Sequence, residues 1–144
     1  MGLFNRRKKR GTDETMQYGA KLITVAKPQN PVSEQFRTVK TNIDFTSVDH
    51  QIKALAFTSA NISEGKSTVT VNTAVTMAQA GKKVLLIDAD LHRPTLHHTF
   101  DIPNRVGLTT ILTSHSYEVD MADIVKEDII PNLSVMPAGP IPPN

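Results

Sequence analysis

One stretch, SANISEGKST from Ser59 to Thr68, constrains this chain more than any other. The run before it, IKALAFTS, is short, apolar and ends in small polar residues, which suits a buried strand. The run after it, KSTVTVNTAVTMAQAG, places Val71, Ala74, Val75 and Ala78 on one helical face, with Gly81 where a helix stops. Its β-branched residues disfavour helix by propensity. The glycine-lysine entry and the length decide for helix. A strand, a loop and a helix in that order aim several backbone N–H groups at one spot, and the positive helix end attracts anions.

The usual phosphate-binding pattern is Gly, four residues, then Gly-Lys-Ser/Thr, set between a strand and a helix. Here Ala60 stands at the first glycine. Alanine is the smallest replacement, and the loop survives it if that position keeps a negative φ. The expected nucleotide contacts are Ala60, Ser63, Glu64, Gly65, Lys66, Ser67 and Thr68. Gly65 lets the backbone approach the ligand, Lys66 neutralises the outer phosphates, and Ser67 offers its hydroxyl to magnesium. The plainer alternative is an ordinary strand–turn–helix junction.

A second apolar run, KKVLLIDAD, reads as another buried strand and ends in Asp88 and Asp90. In open parallel sheets, ligands bind at the carboxyl ends of the strands. Beside a phosphate loop, one carboxylate can hold magnesium and the other can accept a proton from an attacking hydroxyl. The alternative is a pair of turn-forming or helix-capping aspartates. A metal pair of the glycosyltransferase kind is weaker, because the loop already accounts for a metal. His97 and His98 are adjacent, so they do not share a helix face, and a histidine metal site is disfavoured.

The remaining segments support an α/β reading. KLITVAKPQNP is expected to be extended, broken by Pro28 and Pro31. NPVSEQFRTVKTNIDF is expected to be helical, with Asn30 as N-cap, Pro31 in the first turn, and Phe36, Val39 and Ile43 on one face. GLTTILTS and DMADIVKE read as short helices, and LSVMPAG as a third strand. Strands alternating with helices imply a parallel sheet.

The charge of +2 is unevenly placed. Arg6, Arg7, Lys8, Lys9 and Arg10 form a basic run, without which the chain holds 11 basic and 14 acidic residues. Residues 1–20 therefore read as a flexible basic arm and 21–144 as the folded part. The arm suits an anionic lipid surface or is simply solvated. Nucleic acid is less expected, since no aromatics interleave with the run. There is no cysteine, which excludes disulfides and thiolate metal sites. No apolar run approaches the roughly 20 residues of a membrane span.

Taken together, SEGKST and VLLIDADLHRPTLH resemble the bacterial tyrosine kinases of capsular and exopolysaccharide synthesis. The resemblance extends to EQFRTVKTNIDF, GLTTIL and LSVMPAGPIPPN, or roughly residues 22–144. It implies a P-loop NTPase fold, ATP and Mg2+ as cofactors, and autophosphorylating transfer to protein tyrosine. By position, Lys66 and Ser67 match the nucleotide and magnesium residues. Asp88 matches the base for the tyrosine hydroxyl, and Asp90 a helper for magnesium, so Lys66, Asp88 and Asp90 are the catalytic candidates and Ser67, Asp88 and Asp90 the metal candidates. Glu34, Arg37 and Lys40 match a self-assembly motif that normally ends in arginine, and Lys40 lacks the guanidinium fork. His92 stands where arginine is frequent, with Arg93 beside it.

The implied partners are a membrane-embedded polysaccharide chain-length regulator, further copies of the chain and tyrosine substrates. The implied place is the cytoplasm, at the inner face of the membrane. The family's third acidic motif and tyrosine-rich tail are not found, so the chain is expected to be the N-terminal part of such a kinase and poorly active alone. Two other functions remain open. One is a partitioning or division-site ATPase, which shares the fold but carries a lysine where Asn61 stands. The other is a non-catalytic module that binds a membrane partner.

Overall fold

A computed structural model describes residues 19–114 and 119–141. The basic run at 6–10, Tyr18 and Tyr117 lie outside the described residues. The elements, in chain order, are α1 (Ile23–Ala26), α2 (Pro31–Thr46), α3 (Lys66–Gln79), β1 (Val84–Ile87), α4 (Leu96–Phe100), α5 (Leu108–Thr113), α6 (Met121–Ile124), β2 (Lys126–Ile130) and β3 (Leu133–Met136).

Helix α3 organises the core. Val71, Ala74, Val75 and Ala78, the face expected from the sequence, are all buried. They pack with Leu86, Leu96, Phe100, Leu133 and Val135. The helix ends as its glycine foretells. Gly81 takes φ 91, its N–H donates to Ala78 O, and the Lys82 N–H donates to Met77 O. This crossed pair is the Schellman arrangement.

The sheet has three strands in the order β1-β3-β2. β1 and β3 are parallel, with Val84 opposite Leu133 and Leu86 opposite Val135. These four face α3. Leu85 and Ile87 face the other way and are nearly half exposed. β2 and β3 are antiparallel, so the sheet is mixed rather than wholly parallel as expected. The helix expected over DMADIVKE stops at Ile124, because Lys126 pairs with Val135. Pro131 and Asn132 then turn the chain, with Asn132 at φ 68, a left-handed conformation that asparagine tolerates.

The strand expected at IKALAFTS does not form. Residues 51–59 carry no regular structure, and Ile52 and Leu55 are exposed. A strand exists only through its ladder partners. None reaches this segment among the described residues.

The segment expected to be extended at 22–31 contains the single turn α1. Its Thr24 N–H and hydroxyl donate to Asn72 Oδ1 at 3.1 and 2.9 Å, and Ser33 Oγ closes it by donating to Lys27 O at 2.7 Å. Tertiary hydrogen bonds thus fold a stretch that its prolines merely bound. Helix α2 starts as expected, with Asn30 Oδ1 accepting the Val32 N–H at 2.9 Å. Phe36 is buried, but Val39 is exposed, so the expected apolar face is only shallowly covered.

Candidate active site

The phosphate loop leads directly into α3. Gly65 precedes the first helical residue at φ 85, and no side chain caps the first turn. The leading N–H groups of a helix have no partner within it, so this end presents donors to an anion. A Cβ at Gly65 would meet nothing within 4 Å. The glycine is needed there for its backbone angle rather than for space. Ser63 is also left-handed, at φ 62, whereas Ala60 is not among the positive-φ residues. That is why alanine is tolerated at the position of the usual first glycine.

The acidic pair meets this loop from β1. The Lys66 Nζ lies 3.5 Å from Asp90 Oδ2, and both side chains are about one-third exposed, at 35% and 32%. Burial pushes the Asp90 carboxyl up. The Arg93 N–H donated to it and the Lys66 charge outweigh burial and hold it below its ordinary value.

Asp88 is buried. Its Oδ1 accepts the Asp90 N–H at 3.1 Å. Its Oδ2 accepts the N–H groups of Thr95 and Leu96 at 3.0 and 3.1 Å. It therefore binds its own loop to the first turn of α4.

Sequence reasoning missed Thr95, whose hydroxyl donates to Ser67 Oγ at 3.4 Å. Through Thr95 the loop serine and Asp88 are connected. Only its place within VLLIDADLHRPTLH hinted at it.

Glu64 turns away from the anion site, toward Asn61. Thr68 lies in the first turn of α3, with its carbonyl accepting from Asn72 Nδ2 at 2.8 Å. His92 and Arg93 are exposed in the loop after β1. His97 and His98 stack with ring centroids 4.0 Å apart. Burial pushes the His97 imidazole below its ordinary value, the neighbouring His98 adds to that, and Asp88 opposes it. Among the described residues no cluster of three or more His, Asp or Glu is placed to hold a metal.

The stripe of Glu34, Arg37 and Lys40 lies apart, on α2. Arg37 pairs with Glu34 at 2.7 Å and Lys40 with Asp44 at 2.7 Å. Lys82 joins Asp44 as well, and the two lysines, Lys40 first, draw the Asp44 carboxyl below its ordinary value.

A glycine-lysine-serine loop at the start of a buried helix, facing a strand-end carboxylate, is a nucleotide-hydrolase architecture. The ParA family, described as NUBPL iron-transfer P-loop NTPase, matches residues 51–132. The chain belongs to this P-loop NTPase family.

Its relatives narrow the kinship to bacterial tyrosine kinases. The tyrosine-protein kinase YwqD of Bacillus subtilis is 50% identical over 123 residues, covering 85% of this chain and 51% of YwqD. The crystal structure of the chimerical protein CapA2B2 superposes with a TM-score of 0.77 at 34% identity, covering 97% of this chain and 62% of that one. The kinase domain of the Escherichia coli tyrosine kinase ETK gives 0.77 at 26% identity, covering 100% of this chain and 54% of that one. The chain spans about half the length of the curated relatives it matches. Among the described residues no helix is long and apolar enough to cross a membrane.

Proposed function

We propose that the chain carries the ATP-binding half of a protein-tyrosine kinase acting in capsular or exopolysaccharide synthesis. The observation that carries this reading is the contact between Lys66 Nζ and Asp90 Oδ2 at the uncapped start of α3. One charge binds phosphate and the other binds the counter-cation, and they already share one locus.

The residues fit magnesium chemically. Mg2+ takes hard oxygen donors, one or two of them carboxylates, and completes its shell with phosphates and water. Ser67 and Asp90 are such donors, with Asp88 behind them. When bound, the ion would neutralise charge on the phosphate oxygens.

Lys66 and the first-turn N–H groups of α3 hold the β- and γ-phosphates. Asp88 fixes the backbone from Asp90 to Leu96 through its three accepted N–H groups. A carboxylate has about four acceptor directions, and the remaining one takes the tyrosyl proton. The tyrosine oxygen then bonds to the γ-phosphorus as the bond to the β-phosphate oxygen breaks. Catalysis is positioning and charge neutralisation rather than covalent chemistry.

The test is a titration of the purified chain with MgATP, followed by transfer of labelled phosphate to a tyrosine peptide. Lys66→Met is expected to weaken binding by roughly 10-fold or more, and Asp88→Asn to cut transfer far more than it weakens binding. Binding unchanged by Lys66→Met would overturn the reading.

Hydrolysis without transfer is the second reading, favoured by the ParA match. It predicts phosphate release with no phosphotyrosine. Self-association through Glu34, Arg37 and Lys40, and docking of the basic arm on a membrane-embedded regulator at the inner membrane face, complete the proposal.

A further inference from the structure

Glu64 poses a difficulty for any phosphate site. It puts a carboxylate two residues from the lysine that is to meet the nucleotide, on the lip of an anion-binding loop. Its direction resolves the difficulty. Oε1 accepts from Asn61 Nδ2 at 2.7 Å, and Oε2 accepts the Asn61 backbone N–H at 3.1 Å. These two contacts, together with the Ala60 N–H, draw the Glu64 carboxyl below its ordinary value. Ser59 Oγ donates to Asn61 O at 3.1 Å, so Asn61 is held on both its donor and its acceptor side.

The loop needs such a restraint. Between Asn61 and Lys66 it contains two left-handed residues, Ser63 at φ 62 and Gly65 at φ 85. Serine adopts that region only when its surroundings impose it. The segment upstream, 51–59, is mostly exposed and belongs to no ladder. Among the described residues the hydrogen bonds on that side of the turn are local ones, and Glu64 makes the most direct of them.

We infer that Glu64 is a positioning residue: its carboxylate clamps Asn61 across the turn and holds the phosphate loop in its anion-binding shape before nucleotide arrives. The inference rests on the nucleotide reading above. The clamp opposes a simpler expectation, that a negative charge here only repels phosphate. The two differ in sign. If Glu64 merely repels, removing it tightens nucleotide binding. If it clamps, removing it loosens binding although a repulsive charge has gone.

Three versions of the chain decide the matter: the unaltered protein, Glu64→Gln and Glu64→Ala. Amide hydrogen exchange across residues 59–68, without nucleotide, reads the clamp itself. MgATP titration reads its purpose, and thermal melting reads global stability. In Glu64→Ala, exchange at the Asn61 amide rises and the MgATP dissociation constant rises, each by roughly 2- to 5-fold, the worth of exposed contacts to a charged group. Glu64→Gln keeps one acceptor oxygen and falls between. Melting falls by no more than a few degrees, because the residue is exposed, and exchange within α3 stays unchanged, which separates loop shaping from general support.

Unchanged exchange in Glu64→Ala, or tighter MgATP binding, overturns the clamp. An unaltered protein that binds no MgATP sinks the nucleotide reading and leaves the clamp without a purpose. The exchange arm still reports whether the Asn61 contact exists.

Discussion

The phosphate loop is held very differently at its two ends. On its downstream side, α3 is buried along its whole apolar face and closed by a Schellman turn. On its upstream side, residues 51–59 are mostly exposed and join no strand ladder. Both stretches are apolar enough for a core. The difference is one of partners. A helix satisfies its own backbone and needs only a surface to lie on. A strand borrows its hydrogen bonds from other strands. The shape of the loop is consequently fixed from the helix side.

Asn72 offers the sharpest way to break that asymmetry. It is fully buried in α3, and its amide donates to Lys21 O and Thr68 O at 2.7 and 2.8 Å while accepting two bonds from Thr24. Asn72→Leu removes the acceptor of the buried Thr24 N–H and hydroxyl. It is expected to cost about 4 kcal/mol, since each buried unpaired polar group costs roughly 1–3, and chemical denaturation reads the loss. Val75→Ala comes next, at about 2 kcal/mol for the lost methyl groups and the void they leave.

Acid should act on the helix side too. The His97 imidazole is held below its ordinary 6.5, first by burial, and its Nδ1 is buried without a partner. A group with a depressed folded value stabilises above the unfolded value and loses that contribution as pH falls below it. Melting temperature should thus start to drop below about pH 6.5, ahead of the carboxylates, and His97→Phe should flatten that limb. A profile identical in the two proteins would discount His97.

The smallest effect belongs upstream. Leu55→Ala is expected to change stability by less than about 0.5 kcal/mol, as at any exposed site, and amides 51–59 should exchange far faster than those of α3. A large loss on Leu55→Ala would mean that this segment is buried after all, and the comparison would fail.

What the sequence disclosed follows the same division. The face of α3, its glycine stop, the Asn30 cap and the strand before Asp88 are local patterns of period and punctuation, and all were readable. So was the P-loop family, because its signature is a contiguous string. The absence of a strand at IKALAFTS was not readable, since it depends on what pairs with it. The antiparallel return of β2 was hidden for a similar reason: Lys126, Glu127 and Asp128 give no apolar alternation. The binding of Thr95 to Ser67 and of Glu64 to Asn61 depends on side-chain directions that no spacing rule supplies.

The Asn72 side chain also has a mechanical meaning. It grips the backbone at Lys21 and at Thr68 with the same amide group, and the chain just upstream is pinned by the Ala20 N–H on Thr99 Oγ1 at 2.7 Å. A tug on the polypeptide before Gly19 is therefore not absorbed by slack. It loads the Ala20–Thr99 bond on α4 first, and then the two short Asn72 bonds at the opening turn of α3, where Ser67 and Lys66 sit.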